Sequence, residues 1–204
     1  GLKINKAEDD AAGYSIATKL KSRVAGLEQS LQNVGDAKSV LDIAESSFDT
    51  IMDGLIEMKG LATQAANDTL GDTERGYIGD QIKALGDDIN EIANQTVYMD
   101  YELLNGSDNS GSLSLTFQVG ERAEDVISTS ISAVNVGELF ASSGATANLG
   151  AVGTQAGGGS TTGSAITASA ANSSGQGSLT FASTATSADY RSFIGAVDTA
   201  IDEM

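Results

Sequence analysis

The sequence contains no cysteine, no histidine, no proline and no tryptophan. Without cysteine there is no disulfide, no thiolate zinc site and no thiol nucleophile. Without histidine there is no Ser-His-Asp triad, no His-ligated zinc and no His-Glu-x-x-His protease motif. Aromatic residues make up 5% of the chain and apolar residues 40%, so any core is thin and aliphatic. Such a core suits seams between helices better than a deep globule. Positive charge is also scarce. Eleven Lys and Arg stand against 28 Asp and Glu, a net charge of -17. That balance argues against a nucleic-acid surface and against binding to anionic membrane, and it keeps a crowded protein soluble. No apolar run approaches transmembrane length, and no secretory signal is visible. The chain opens on Gly1 rather than Met, which leads to the expectation that its start is missing or processed.

Carboxylates remain as candidate catalysts. Neighbours such as Asp9 and Asp10, or Asp87 and Asp88, do not make a glycosidase pair, because adjacent helical residues diverge around the axis. Asp108-Asn109-Ser110-Gly111 resembles part of a calcium loop but lacks the Glu of the twelfth position. Gly157 to Gly163 is glycine-rich, but no Lys follows it and no strand-loop-helix pattern frames it. No enzyme, cofactor or metal site is expected.

What the chain does have is helical periodicity. From Ile16 to Ala66, Leu20, Leu27, Val34, Leu41, Phe48, Leu55 and Ala62 recur every seven residues. Val24, Leu31, Ala37, Ala44, Ile51, Met58 and Ala65 form a second line beside them. Steps of three and four put both on one helical face, a seam for a neighbouring helix. At 1.5 Å per residue this stretch would span about 75 Å as a single helix, which favours a rod that packs lengthwise. Helix is expected from about Asp10 to Asn67-Asp68, with Asp9 and Asp10 able to cap its start. Interior glycines at 26, 35, 54 and 60 each cost about 1 kcal/mol relative to Ala, and a break is expected first near Gly35 or Gly54.

A second helix is expected over roughly Asp72 to Gln95, folded back antiparallel, with Ile78, Ile82, Leu85, Ile89 and Ile92 as its seam. Leu41 and Phe48 are expected to face Ile82 and Ile89. Leu113, Leu115, Phe117 and Val119 alternate with polar residues, and residues 126–131 read as the mate of this strand in a β-hairpin. Between Glu138 and Asp189 there is no charged residue, and Ala, Gly, Ser and Thr predominate. This reads as a loose insertion with a short strand at Leu179-Thr180-Phe181. A third helix should begin near Ser187, capped by Thr186 or Ser187 with Asp189 in its first turn. Its line is Tyr190, Ile194, Val197, Ile201 and Met204, still in phase at the last residue. The fold class is therefore mainly α with a small β part: a rod of long antiparallel helices, a hairpin and an uncharged insertion. The expected divisions are 1–137, 138–186 and 187–204.

The stretch Leu2 to Gly13, LKINKAEDDAAG, resembles the N-terminal region of bacterial flagellin. Gly26-Leu27 with Gln29, Gln64 to Asn67, Ile89 to Ile92, Gln95-Thr96 and Gln118 to Gly120 match the same family. The likeness covers about residues 1–137 and, by pattern, 187–204. Hook-filament junction proteins share the start but usually carry Pro after the Asp pair, where Ala11 stands here.

The resemblance implies an extracellular subunit that self-assembles into the flagellar filament when full length. The family's terminal coiled-coil segments would then be absent from this chain. An export chaperone and cap and junction proteins are implied as partners. Candidate subunit-packing residues are Asp9, Asp10, Leu27, Leu41, Phe48, Ile82 and Ile89, and Ser160, Thr161 and Thr162 are candidate glycan acceptors. A host toll-like receptor reads an Arg, a Leu and a Glu on the family's helices. Alignment puts Glu57, Leu61 and Gln81 at those positions, implying weak or absent recognition. The alternative reading is a surface adhesion protein built on the same scaffold.

Overall fold

The computed structural model describes residues 11–105, 111–141, 147–149, 165–169 and 177–204. Asp9, Asp10, the calcium-like stretch 108–110, and the glycan candidates Ser160, Thr161 and Thr162 lie outside the described residues.

Helix α1 runs Ala11–Ala65 without a break, so neither Gly35 nor Gly54 ends it. Helix α2 follows at Asp72–Gln95, as the sequence pattern predicts. A tiny antiparallel ladder, β1 (Val97–Tyr98) with β2 (Tyr101–Glu102), leads to the hairpin β3 (Ser112–Gln118) and β4 (Val126–Ser132). Then come the short helix α3 (Val136–Phe140), strands β5 (Ala147–Asn148), β6 (Ile166–Ala168) and β7 (Leu179–Phe181), and helix α4 (Ser187–Asp202). The chain is mainly α with a small β part.

Two compact units are present. One combines the described part of 1–42 with 114–130, and the other combines 43–113 with 131–204. In the first unit the hairpin lies on a line of small and polar residues of α1. Arg23 Nε meets Glu121 Oε1 at 2.7 Å, and Asn33 Nδ2 donates to the Gln118 carbonyl at 3.0 Å. Gly26 allows this approach, because a Cβ there would stand 3.3 Å from that of Glu121. Ser30 is buried beside it and donates back to the Gly26 carbonyl. The hairpin loop is tied internally: Val119 N donates to the Asp125 carbonyl, and Gln118 Nε2 to the Gly120 carbonyl.

In the second unit α1 buries Ile51, Leu55, Met58, Ala62 and Ala65, and α2 buries Ile78, Ile82, Ile89 and Ala93. The register differs from the sequence expectation. Ile89 lies against Gly54, 3.6 Å from where a Cβ would be, and Thr96 Oγ1 donates to Ser47 Oγ at 2.9 Å. Phe48 therefore sits level with the end of α2 rather than with Ile89. Leu41 is exposed and faces neither Ile82 nor Ile89. Heptad spacing identified the lines but could not fix the offset between the helices, which the length of the 66–71 turn and the close contact at Gly54 determine.

Helix α2 is buried on a second side as well. A Cβ at Gly79 would meet the Phe181 Cβ at 3.1 Å and the Tyr190 hydroxyl at 2.7 Å, and one at Gly86 would meet Leu179 Cδ1 at 3.1 Å. These glycines admit β7 and α4. Strands β5, β6 and β7 form one antiparallel sheet, with Ile166 opposite Phe181 and Ala168 opposite Leu179. Phe140 stacks on Phe193 at 5.9 Å, while Phe181 stacks on Tyr190 and meets Phe193 edge-on.

Three buried asparagines, Asn90, Asn105 and Asn135, fasten this layer. Asn90 accepts from Val136 N and donates to the Gly177 carbonyl; Asn135 donates to Asn105, and Asn105 to Asn94.

Helix α4 starts at a capping box formed by Thr186 and Asp189, as its sequence indicates. Its buried line is Tyr190, Phe193, Val197 and Ala200, whereas Ile194, Ile201 and Met204 are half-buried. The buried face is rotated toward Phe193 because α3 and the sheet cover that side. Helix α4 runs antiparallel to α1, since Arg191 pairs with Asp68 at 3.0 Å and Asp198 with Lys59 further along.

Candidate assembly surface

In the first unit the hairpin takes the Gly26, Ser30 and Asn33 line of α1, and the apolar seam is left uncovered. Ile16, Leu20, Val24, Leu27, Leu31, Val34 and Leu41 are all exposed, Leu31 to 73%. Their steps of three, four and seven make one continuous stripe on one side of the helix. Isolated exposed apolar residues are ordinary, but seven on one helical face mark a contact surface. Arg23, paired with Glu121 of the hairpin at 2.7 Å, and Lys38, paired with Asp42 at 3.3 Å, lie along it.

In the second unit α1 buries Ala44, Ile51, Leu55, Met58, Ala62 and Ala65, while Ile56 is exposed. The candidate packing residues therefore divide. Leu27 and Leu41 lie on the exposed stripe, Phe48 is half-buried, and Ile82 and Ile89 are buried in the chain's own α1–α2 seam.

Residues 1–109, more than half of the chain, match the bacterial flagellin N-terminal helical region. The chain belongs to the bacterial flagellin family. Similarity to individual flagellins extends further. The chain is 30% identical over 171 residues to the flagellar filament 41 kDa core protein of Borreliella burgdorferi, covering 71% of this chain and 51% of that protein. It is 40% identical over 107 residues to a flagellin of Clostridium tyrobutyricum, covering 52% of this chain and 28% of that one. It is 36% identical over 131 residues to flagellin B of Vibrio cholerae, 64% of this chain and 34% of that one. The chain thus spans about half or less of the length of these flagellins.

The receptor-site equivalents lie on the second unit of this flagellin-family chain. Glu57 on α1 and Gln81 on α2 are exposed, and Leu61 is half-buried. The contacts that sequence reasoning missed are those of Gly26, Ser30, Asn33 and Glu121, and those of Arg75. An interior helical glycine was the signal at position 26. Arg75 gave none, because one Arg in a first helical turn reads as a solvated charge.

Proposed function

We propose that this chain is part of a structural subunit of the bacterial flagellar filament, exported from the cell and self-assembling for motility. The observation that carries the reading is the uncovered stripe from Ile16 to Leu41 on a flagellin-family helix. Burying a Leu or Val side chain fully is worth roughly 1.5–3 kcal/mol, so a stripe of this length contributes strongly once a neighbouring helix covers it. The role is structural rather than enzymatic. Export chaperone, cap and junction proteins follow as partners from the same family reading.

Electron microscopy of a strain lacking the gene tests this. Missing filaments, restored by the full-length gene, agree with the proposal. Intact filaments with lost surface attachment would favour adhesion instead.

Weak receptor recognition is part of the same reading. Glu57 presents a carboxylate where the family's receptor site has Arg, which removes donors and reverses charge. Reporter cells bearing the toll-like receptor should respond poorly to this protein and better to a Glu57→Arg, Gln81→Glu variant. A strong response to the unmodified protein contradicts it. Ser160, Thr161 and Thr162 remain proposed glycan acceptors, and an intact mass equal to the bare chain would exclude them.

A further inference from the structure

A chain without cysteine, histidine or tryptophan leaves its four methionines as its most readily oxidised side chains. The fold sets them in very different surroundings. Met58 is fully buried in the α1–α2 seam, and Met52 and Met204 are half-buried. Met99 is 78% exposed.

Its position is also fixed. Tyr98 pairs with Tyr101, so Met99 and Asp100 are the two central residues of the β1–β2 turn. Their φ values are 47° and 68°. Left-handed backbone at both centres is the tight hairpin geometry that usually takes Asn-Gly, and a long side chain there is uncommon. The turn is held by the Leu103 amide donating to the Thr96 carbonyl at 2.9 Å, with Leu103 and Leu104 buried behind it. Val97 and Tyr101 are exposed on the same small ladder. The anchored turn keeps the Met99 thioether in water.

We propose that Met99 is a redox-modification site, the first side chain of this protein that peroxide oxidises. The sulfur attacks one peroxide oxygen, the O–O bond breaks and an S–O bond forms. Sulfur loses two electrons, and the other oxygen departs as water. The product is a polar sulfoxide at the tip of the turn, so the turn loses apolar character. The seams are untouched because Met58 is inaccessible. Enzymatic reduction of the sulfoxide restores the original surface.

The test is dilute hydrogen peroxide on the full chain, with each methionine peptide followed by mass spectrometry over time. The Met99 peptide should gain one oxygen first, with the Met58 peptide unmodified and the melting temperature unchanged. Sulfoxide reductase should then return the original mass. In urea all four peptides should react alike. Met99→Leu should remove the fast phase of oxygen uptake. Equal rates at all four positions in the folded protein, earlier oxidation of Met52 or Met204, or an undiminished fast phase in Met99→Leu would each overturn the proposal.

Discussion

Arg75 Nε donates to the Ala65 carbonyl at 3.0 Å, so a buried side chain from α2 closes the C-terminal end of α1. The same guanidinium reaches the Asn67 and Leu70 carbonyls, and Asp72 Oδ1 at 3.1 Å. The end of a helix leaves carbonyls without partners, and here one planar fork satisfies several at once. Tyr190 of α4 adds to this knot by donating from its hydroxyl to the Arg75 carbonyl at 3.1 Å.

Arg75→Ala should destabilise the chain by roughly 2–4 kcal/mol, because buried acceptors lose their donors. Arg75→Lys should recover little, since an ammonium cannot span the same set of oxygens. Urea unfolding of the three proteins measures this. A loss below about 0.5 kcal/mol, the range of ordinary surface changes, would mean that the knot is dispensable.

Glycines on the helices should respond with opposite signs. Nothing lies within 4 Å of a Cβ at Gly60, whereas one at Gly79 meets the Tyr190 hydroxyl and the Phe181 Cβ. Gly60→Ala should therefore stabilise by up to about 1 kcal/mol through helix propensity. Gly79→Ala should destabilise despite the same gain, because the aromatic pair must move. Melting temperatures of the two variants decide it, and a rise for Gly79→Ala would contradict the packing described.

Most of α1, α2, the hairpin and the start of α4 was legible in the sequence because each carries a long period or a cap. Asp72 to Gln95 and the Thr186–Asp189 box are examples. The helix α3 and strands β5 and β6 were not. They are three to five residues or fewer, and Ile166 and Ala168 sit in an Ala/Ser/Thr-rich stretch with no period to read. The candidate surface was half legible. The apolar stripe stood out in the spacing, but spacing could not reveal that the hairpin takes the neighbouring small, polar line. Gly26, Ser30 and Asn33 are held by backbone approach and hydrogen bonds, which leave no hydrophobic signature.

Two groups should couple stability to pH at opposite ends of the scale. Hydrogen bonding from Ser187, and then the charge of Arg191, hold the Asp68 carboxyl below its ordinary value of 3.8. A depressed carboxylate stabilises above its unfolded value and loses that contribution as pH falls through the folded one. The loss therefore lies in the acid range below 3.8, and Asp68→Asn should flatten it.

Burial pushes the Tyr190 phenol up from 10.0 to about 12. Its contribution is full below pH 10.0 and declines as pH rises toward about 12, so Tyr190→Phe should reduce the alkaline loss. Unfolding midpoints against pH for the parent and both variants test the pair. Parallel profiles for all three would contradict the assignment.

Truncation within the seams should separate core from surface. Ile89→Ala should cost roughly 2–5 kcal/mol by opening a cavity against Gly54. Leu27→Ala, on the exposed stripe, should leave the melting of this chain within about 0.5 kcal/mol. A large loss for Leu27→Ala would mean that the stripe is already covered.

Filament formation by the full-length protein carrying Leu27→Asp and Leu31→Asp tests the central proposal most directly. Charges on the stripe should abolish filaments in electron micrographs while the helical spectrum and melting temperature of the subunit are retained. Filaments of normal length and number from that variant would contradict the assignment of this helical face to assembly.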